Sequence, residues 1–269
     1  AKKVFVVSDI HTHRAAAAQL ETLLVKAGLY VASYMFEDEE LVPDESALGR
    51  LLIALDPACD LLIGVGTGSI NDLCKVTAFK TKMPYCIVAT APSMDGFASS
   101  VAPLIVNNLK TTYEVGVADA IIGDTKILSQ APMPMIMAGI ADILGKYTCL
   151  TDWKMAQIIN GEYYCETIVQ MVRTSLRAVA ENLDKAAARD EQTVGKIMEA
   201  LVLTGIAMSF VGNSRPASGS EHHISHYWEM MFLHEGKKAV LHGTKVGIGT
   251  VAVSKMYDWL WETPVDFAA

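Results

Sequence analysis

The chain has 269 residues, of which 51% are hydrophobic, and a formal net charge of −8 at pH 7. That length and apolar content suit one large or two smaller folded domains and exclude a disordered chain. The acidic balance counts against nucleic acid as a partner, because such binding rests on neutralising phosphates with cations. A small anionic substrate needs only local donors and stays open.

The five cysteines, Cys59, Cys74, Cys86, Cys149 and Cys165, form no C-x-x-C pair. They read as free thiols of a reducing, cytoplasmic setting rather than a disulfide framework. No apolar run reaches the length of a membrane span, so membrane insertion is not expected. The opening Ala-Lys-Lys-Val-Phe-Val-Val reads as a strand and not a signal peptide.

In chain order, Lys3 to Ser8 is a β-branched and aromatic strand ending at Asp9. Ala15 to Ala27 reads as a helix, Tyr30 to Phe36 as a second strand, Ser46 to Leu55 as a helix and Leu61 to Val65 as a third strand. Strands alternating with helices predict a parallel sheet flanked by helices. Asp9, just past the first strand, suits either a helix N-cap or an acceptor for ribose hydroxyls. The next stretch, Gly64-Val65-Gly66-Thr67-Gly68-Ser69-Ile70-Asn71-Asp72, is entered from a strand and left into a helix. Glycines there let backbone approach a pyrophosphate, and the following helix offers free N–H groups. The spacing is neither G-x-G-x-x-G nor a P-loop.

Tyr85 to Ala89 is a further strand. It opens into Thr90-Ala91-Pro92-Ser93-Met94-Asp95-Gly96-Phe97-Ala98-Ser99-Ser100, a hydroxyl-rich stretch that is either an Asp-Gly turn or part of a ligand crevice beyond a strand's carboxyl end. Leu104 to Asn107 and Tyr113 to Gly116 suggest a hairpin-like pair, and Ala120 to Gly123 a last strand. From Pro132 only helical patterns follow: Met135 to Leu150, Asp152 to Ile159, Glu162 to Ala187 and Glu191 to Phe210. The expected division is an α/β domain over residues 1–130 and an all-α domain over 131–269.

Five of the seven histidines, His222, His223, His226, His234 and His242, fall in the stretch that follows, Ser214 to Lys245. His222 and His226 are four apart and share one helical face. Neutral imidazole is a common transition-metal ligand, and no thiolates stand nearby for a closed structural zinc site. Asp142 sits among Ile140, Ala141, Ile143 and Leu144, where a carboxylate needs a partner. Lys146, one turn on, would serve as a helical ion pair; a metal would serve as well. Asp142, His222 and His242 would give a carboxylate and two imidazoles from three helical segments, with a position open for a substrate oxygen. His226 would then be free to orient substrate or move a proton.

Five segments carry a resemblance: Gly66-Thr67-Gly68-Ser69-Ile70-Asn71-Asp72, Ala91 to Ser99, Ala138-Gly139-Ile140-Ala141-Asp142, Ser214-Arg215-Pro216-Ala217-Ser218-Gly219-Ser220-Glu221-His222, and Leu241-His242-Gly243. Taken in order they resemble the iron-type polyol dehydrogenase and 3-dehydroquinate synthase superfamily, and within it the sn-glycerol-1-phosphate dehydrogenases. The resemblance implies a nucleotide-binding α/β domain, a helical metal domain and a cleft between them. It implies that Asp142, His222 and His242 bind one divalent metal, zinc foremost, with nickel or iron in some members. It places Asp9 on the adenosine ribose, Gly66, Thr67, Gly68, Ser69 and Asp72 on the cofactor's phosphate side, and Thr90, Ser93 and Ser99 on the nicotinamide side. Asp95 would face substrate, and His226 would carry the proton.

The implied reaction is the interconversion of dihydroxyacetone phosphate and sn-glycerol 1-phosphate with NAD(H) or NADP(H), by a homo-oligomer acting in phospholipid biosynthesis. Members of the family carry further C-terminal helices, which this chain is expected to lack. No phosphate cluster stands out; Arg215, Lys146, Lys245, Ser218 and Ser220 are the candidates. A glycerol or other polyol dehydrogenase differs only in substrate. A sugar-phosphate cyclase like 3-dehydroquinate synthase would have Glu as the carboxylate ligand and Gly before the first histidine, where this chain has Asp142 and Glu221. A non-catalytic relative would have lost a ligand.

Overall fold

The computed structural model describes residues 1–264. The first half runs β1 (Lys3–Asp9), α1 (Ile10–Thr12), a π-helical turn (His13–Ala17), α2 (Ala18–Lys26), β2 (Tyr30–Phe36), α3 (Glu45–Ala54), β3 (Leu61–Gly66), α4 (Gly68–Thr81) and β4 (Tyr85–Ala89). A 3-10 turn (Gly96–Ala98), β5 (Val101–Val106), β6 (Leu109–Glu114) and β7 (Ala120–Ile122) follow. Helices alone complete the described chain: α5 (Thr125–Ser129), α6 (Met133–Leu144), α7 (Lys146–Asn160), α8 (Glu166–Ala180), α9 (Leu183–Ala187), α10 (Glu191–Val211), α11 (Ser220–His234) and α12 (His242–Glu262).

The main sheet has the order β2-β1-β3-β4-β7 and is parallel throughout. β1 shows why both its faces must be covered. Phe5 and Val7 pack into the main core, while Val4 and Val6 pack on the other face with Ala16, Ala17, Ile63 and Val65. Strands buried on both sides read as continuous apolar runs. The main core continues from Phe5, Leu62 and Ile87 through Leu73 to Ile136, Ile140, Val194 and Leu201 of the helical part.

Several elements differ from the sequence expectation. The hairpin is tighter: β5 and β6 pair antiparallel with Val106 opposite Leu109, leaving Asn107 and Asn108 as a two-residue turn. Both have positive φ, 52° and 59°, which asparagine tolerates and which suits the twist of a short hairpin. The predicted helix from Met135 to Leu150 is two helices meeting at Gly145, a poor helix former against which Val246 packs. The predicted helix from Glu162 to Ala187 starts at Glu166 and breaks at Asn182, whose side-chain amide donates to the Ala178 carbonyl and competes with the helical ladder. Contrary to the reading of apolar runs, α10 is long and apolar enough to cross a membrane. Thr193, Gly195, Lys196 and Glu199 interrupt its runs, and Val194, Ile197 and Leu201 lie fully buried in the core.

Two glycines set the approach of elements to the site. A Cβ on Gly139 would lie 1.8 Å from the Pro92 carbonyl oxygen, so only glycine lets α6 press on the loop after β4. A Cβ on Gly243 would lie 1.9 Å from the Ala138 carbonyl oxygen, which fixes α12 against α6 in the same way. Gly49, on α3, has nothing within 4 Å of such an atom. Gly139→Ala is expected to cost about 3 kcal/mol or more, whereas Gly49→Ala is expected to stabilise by about 0.5–1 kcal/mol. Urea unfolding of the two variants checks the opposite signs.

Candidate metal centre and nucleotide edge

The two glycine contacts bring three chain segments to one point. Asp142 lies one turn beyond Gly139 on α6, Asp95 three residues beyond Pro92, and His242 begins α12 beside Gly243. His222 comes from the first turn of α11. One ligand atom from each of Asp142, His222 and His242 falls within 4.8 Å of the others, the one such cluster among the described residues. The centroids of the His222 and His242 rings are 5.2 Å apart.

Asp142 has no solvent exposure. Its Oδ1 accepts from Lys146 Nζ at 3.1 Å and faces His222 Nε2 at 3.6 Å, while Oδ2 accepts from the Asp95 backbone N–H at 3.0 Å. Lys146, itself at 0% exposure, also donates to Asp95 Oδ2 at 2.7 Å and the Ala217 carbonyl at 2.9 Å. Burial pushes Asp142 up, but the Lys146 ammonium and both histidines outweigh it and hold the carboxyl well below its ordinary range. Burial and the Asp142 charge raise Asp95. The Lys146 ion pair expected of Asp142 is observed, and it leaves the same carboxylate aimed at two imidazoles.

Glu221 is the residue that sequence reasoning missed. Its Oε1 takes His222 Nδ1 at 2.7 Å and the Gly219 N–H at 2.7 Å, and its Oε2 accepts from Thr148 at 2.6 Å. With Nδ1 so engaged, Nε2 is the nitrogen turned toward Asp142. A carboxylate behind a ligating imidazole is a recurrent arrangement, and its place directly before His222 was the available signal. Burial lowers His242 to about 3, so its ring is neutral and able to ligate. His226 is exposed, its ring centroid 6.3 Å from that of His222 and 6.2 Å from that of His242. Partial removal from water and then the Lys110 ammonium lower its pKa. His223 and His234 lie outside this cluster, as do His11 and His13 on the sheet side.

The residues expected to hold a nucleotide lie along the carboxyl edge of the sheet. Asp9 caps α1: its Oδ1 accepts from the N–H groups of His11 and Thr12 at 2.9 and 2.8 Å, and Thr12 Oγ1 accepts from the Asp9 N–H. The N-cap alternative is thus observed. Gly66 ends β3, and Thr67, Gly68 and Ser69 form the half-buried entry to α4, with no side-chain cap from Thr67. The Thr90 N–H bonds the Gly66 carbonyl, which ties the two loops together. Ser93 is buried, and Ser99 Oγ accepts from Val101 N–H inside its own loop. Asp72 is buried 3.4 Å from Lys75 Nζ. That ammonium donates to the carbonyls of Gly96, Ser99 and Val101. Asp72 therefore supports the loop that carries Asp95.

Residues 1–132 match the family model for iron-containing alcohol dehydrogenases. The backbone superposes on a glycerol dehydrogenase from Schizosaccharomyces pombe with a TM-score of 0.79 at 20% identity, over 96% of this chain and 66% of that one. In sequence the chain is 33% identical to a glycerol-1-phosphate dehydrogenase (NAD(P)+) from Methanosarcina acetivorans, over 96% of this chain and 70% of that protein. The chain belongs to the iron-containing alcohol dehydrogenase family. A second relative, from Geobacillus thermodenitrificans and 40% identical over 95% of this chain, is also named glycerol-1-phosphate dehydrogenase (NAD(P)+). The chain spans 64% of that relative's length.

Glu221→Gln is expected to weaken zinc binding about 10- to 100-fold by releasing the His222 ring, measured by competition with a chromophoric chelator. Burial alone would lower His222, but the Asp142 and Glu221 carboxylates outweigh it and raise its pKa. A divalent cation taken up there would have to displace a proton from that ring. Affinity is expected to climb as pH rises through the raised value, with proton release seen in buffers of different ionisation enthalpy.

Proposed function

We propose that this chain carries the active site of an NAD(P)-linked oxidoreductase that interconverts dihydroxyacetone phosphate and sn-glycerol 1-phosphate. The observation that supports this most is the convergence of Asp142, His222 and His242 beside the loop that closes the sheet's carboxyl edge. The donor set fits a divalent cation: one carboxylate held ionised, one neutral imidazole, and one imidazole oriented through Nδ1. Zinc is the expected ion, with nickel or iron as the other choices, and when bound it supplies Lewis-acid polarisation of the ketone. A nicotinamide bound at the sheet's carboxyl edge would supply the hydride.

Asp9 at the end of β1 meets the adenosine ribose in this reading. Gly66, Thr67, Gly68 and Ser69 bring backbone donors to the pyrophosphate at the entry to α4. Thr90, Ser93 and Ser99 line the nicotinamide side, while Asp72 and Lys75 hold their loop in place. Lys146 keeps the paired carboxylates compensated, so that Asp142 ligates and Asp95 faces substrate. His226, at the open side of the cleft, relays a proton between the substrate oxygen and solvent through a neutral ring. The exposed Ile248, Val251 and Trp259 of α12 suit assembly as a homo-oligomer. The free thiols suit the cytoplasm.

An unphosphorylated polyol as substrate is the second reading, after the name of the Schizosaccharomyces pombe glycerol dehydrogenase that shares this fold. Following reduced-nicotinamide consumption with dihydroxyacetone phosphate or dihydroxyacetone, with zinc or a chelator, separates the two. Turnover is expected only with the phosphate and zinc together, giving the sn-1 product on chiral analysis. Turnover on dihydroxyacetone at a comparable rate would move the assignment to a polyol dehydrogenase.

A further inference from the structure

Among the cations that sequence reading offered for a substrate phosphate, two are committed elsewhere. The Arg215 guanidinium grips Glu162 with two bonds, Nε to Oε2 at 2.9 Å and a second to Oε1 at 2.7 Å. Lys146 is enclosed by Asp142, Asp95 and the Ala217 carbonyl. Lys245 is different. It lies 3.1 Å from Glu229 Oε2, and Lys110 Nζ donates to that same oxygen at 2.7 Å. One carboxylate thus faces two ammonium groups, which leaves a formal excess of one positive charge. Lys245 is only 3% exposed, and the Lys110 and Glu229 side chains are 18% and 19% exposed. A sheltered cationic excess calls for an anion, and each ammonium has three N–H donors of which Glu229 takes one.

The position is as informative as the charge. Lys245 is three residues after His242 on α12, and Glu229 is three residues after His226 and seven after His222 on α11. On both helices the rows that present imidazoles to the metal centre continue, one turn further, into this cluster. Lys110 arrives from β6, whose hairpin leans on α11.

We propose that Lys110 and Lys245, held by Glu229, form the subsite for the phosphate of the substrate, clamped between the hairpin and α12. This rests on the function proposed above, whose substrate class it explains. Glu229 occupies the lysines in the absence of ligand and is the group a phosphate partly displaces.

Titration calorimetry of the zinc-loaded chain with dihydroxyacetone phosphate, inorganic phosphate and dihydroxyacetone tests the assignment. Lys110→Gln and Lys245→Gln are each expected to weaken both phosphate ligands about tenfold or more. Glu229→Gln is expected to tighten them, because it removes the competing carboxylate; a purely structural ion cluster predicts no gain. Lys110 sits on the hairpin and is partly exposed, so its variant tests the site even if Lys245→Gln folds poorly. Wild-type phosphate affinity in Lys110→Gln, or no tightening in Glu229→Gln, overturns the subsite. If the lysine variants still reduce dihydroxyacetone phosphate with unchanged KM, the subsite falls while the dehydrogenase reading stands. If the phosphate binds through these lysines without being reduced, the subsite stands and the dehydrogenase reading falls.

Discussion

A carboxylate with no access to water must be compensated, and much of this molecule is arranged around how Asp142 is. The effective penalty for a buried ion is several kcal/mol. One Lys146 contact, one backbone N–H and a facing imidazole offset it here. Each partner needs its own element at close range, and the chain meets that need with glycine. Gly139 lets α6 touch the Pro92 loop, and Gly243 lets α12 touch α6. The same contacts that satisfy the carboxylate bring in His242 and Asp95. Stability and site geometry therefore share one set of residues.

The two halves contribute unlike things. The parallel sheet ends its strands at one edge and presents backbone there, at Gly66 and Thr90, with few committed side chains. The helices present side chains in fixed rows. Between them lies the loop after β4, which Lys75 holds from the sheet side through three carbonyls and Asp142 holds from the helical side through the Asp95 N–H. That loop is the mechanical link between the sheet's carboxyl edge and the Asp142, His222 and His242 cluster. A change at Lys75 would be felt at Asp95 without touching any ligand.

Much of this was legible because it is written in short-range pattern. Apolar runs of strand length marked β1 to β4 to within a residue or so. The Gly66–Ser69 stretch stood out between a strand and a helix, and Asp142 stood out as a lone charge among apolar neighbours. The histidine trio was visible as a cluster, although spacing alone would have paired His222 with His226; the ligand atoms instead bring His242 in from the next helix. What stayed hidden depends on long-range contact. Lys110 and Glu229 are 119 residues apart and look like ordinary surface charges. The break at Gly145 and the tight turn at Asn107 and Asn108 are decided by tertiary packing and by backbone φ, neither of which periodicity records. Glu221 was in plain view beside His222, but its role follows only from the direction of the ring.

Asp142, His222 and His242 bring three side chains from three helices to one point where an ion would sit. Crystals of the zinc-loaded chain, measured above and below the zinc absorption edge, test that directly. A single anomalous peak bonded to the Asp142 carboxylate, His222 Nε2 and the His242 ring is expected, and its loss in Asp142→Asn. Zinc bound elsewhere, or a peak that persists unchanged without the Asp142 carboxylate, would contradict it.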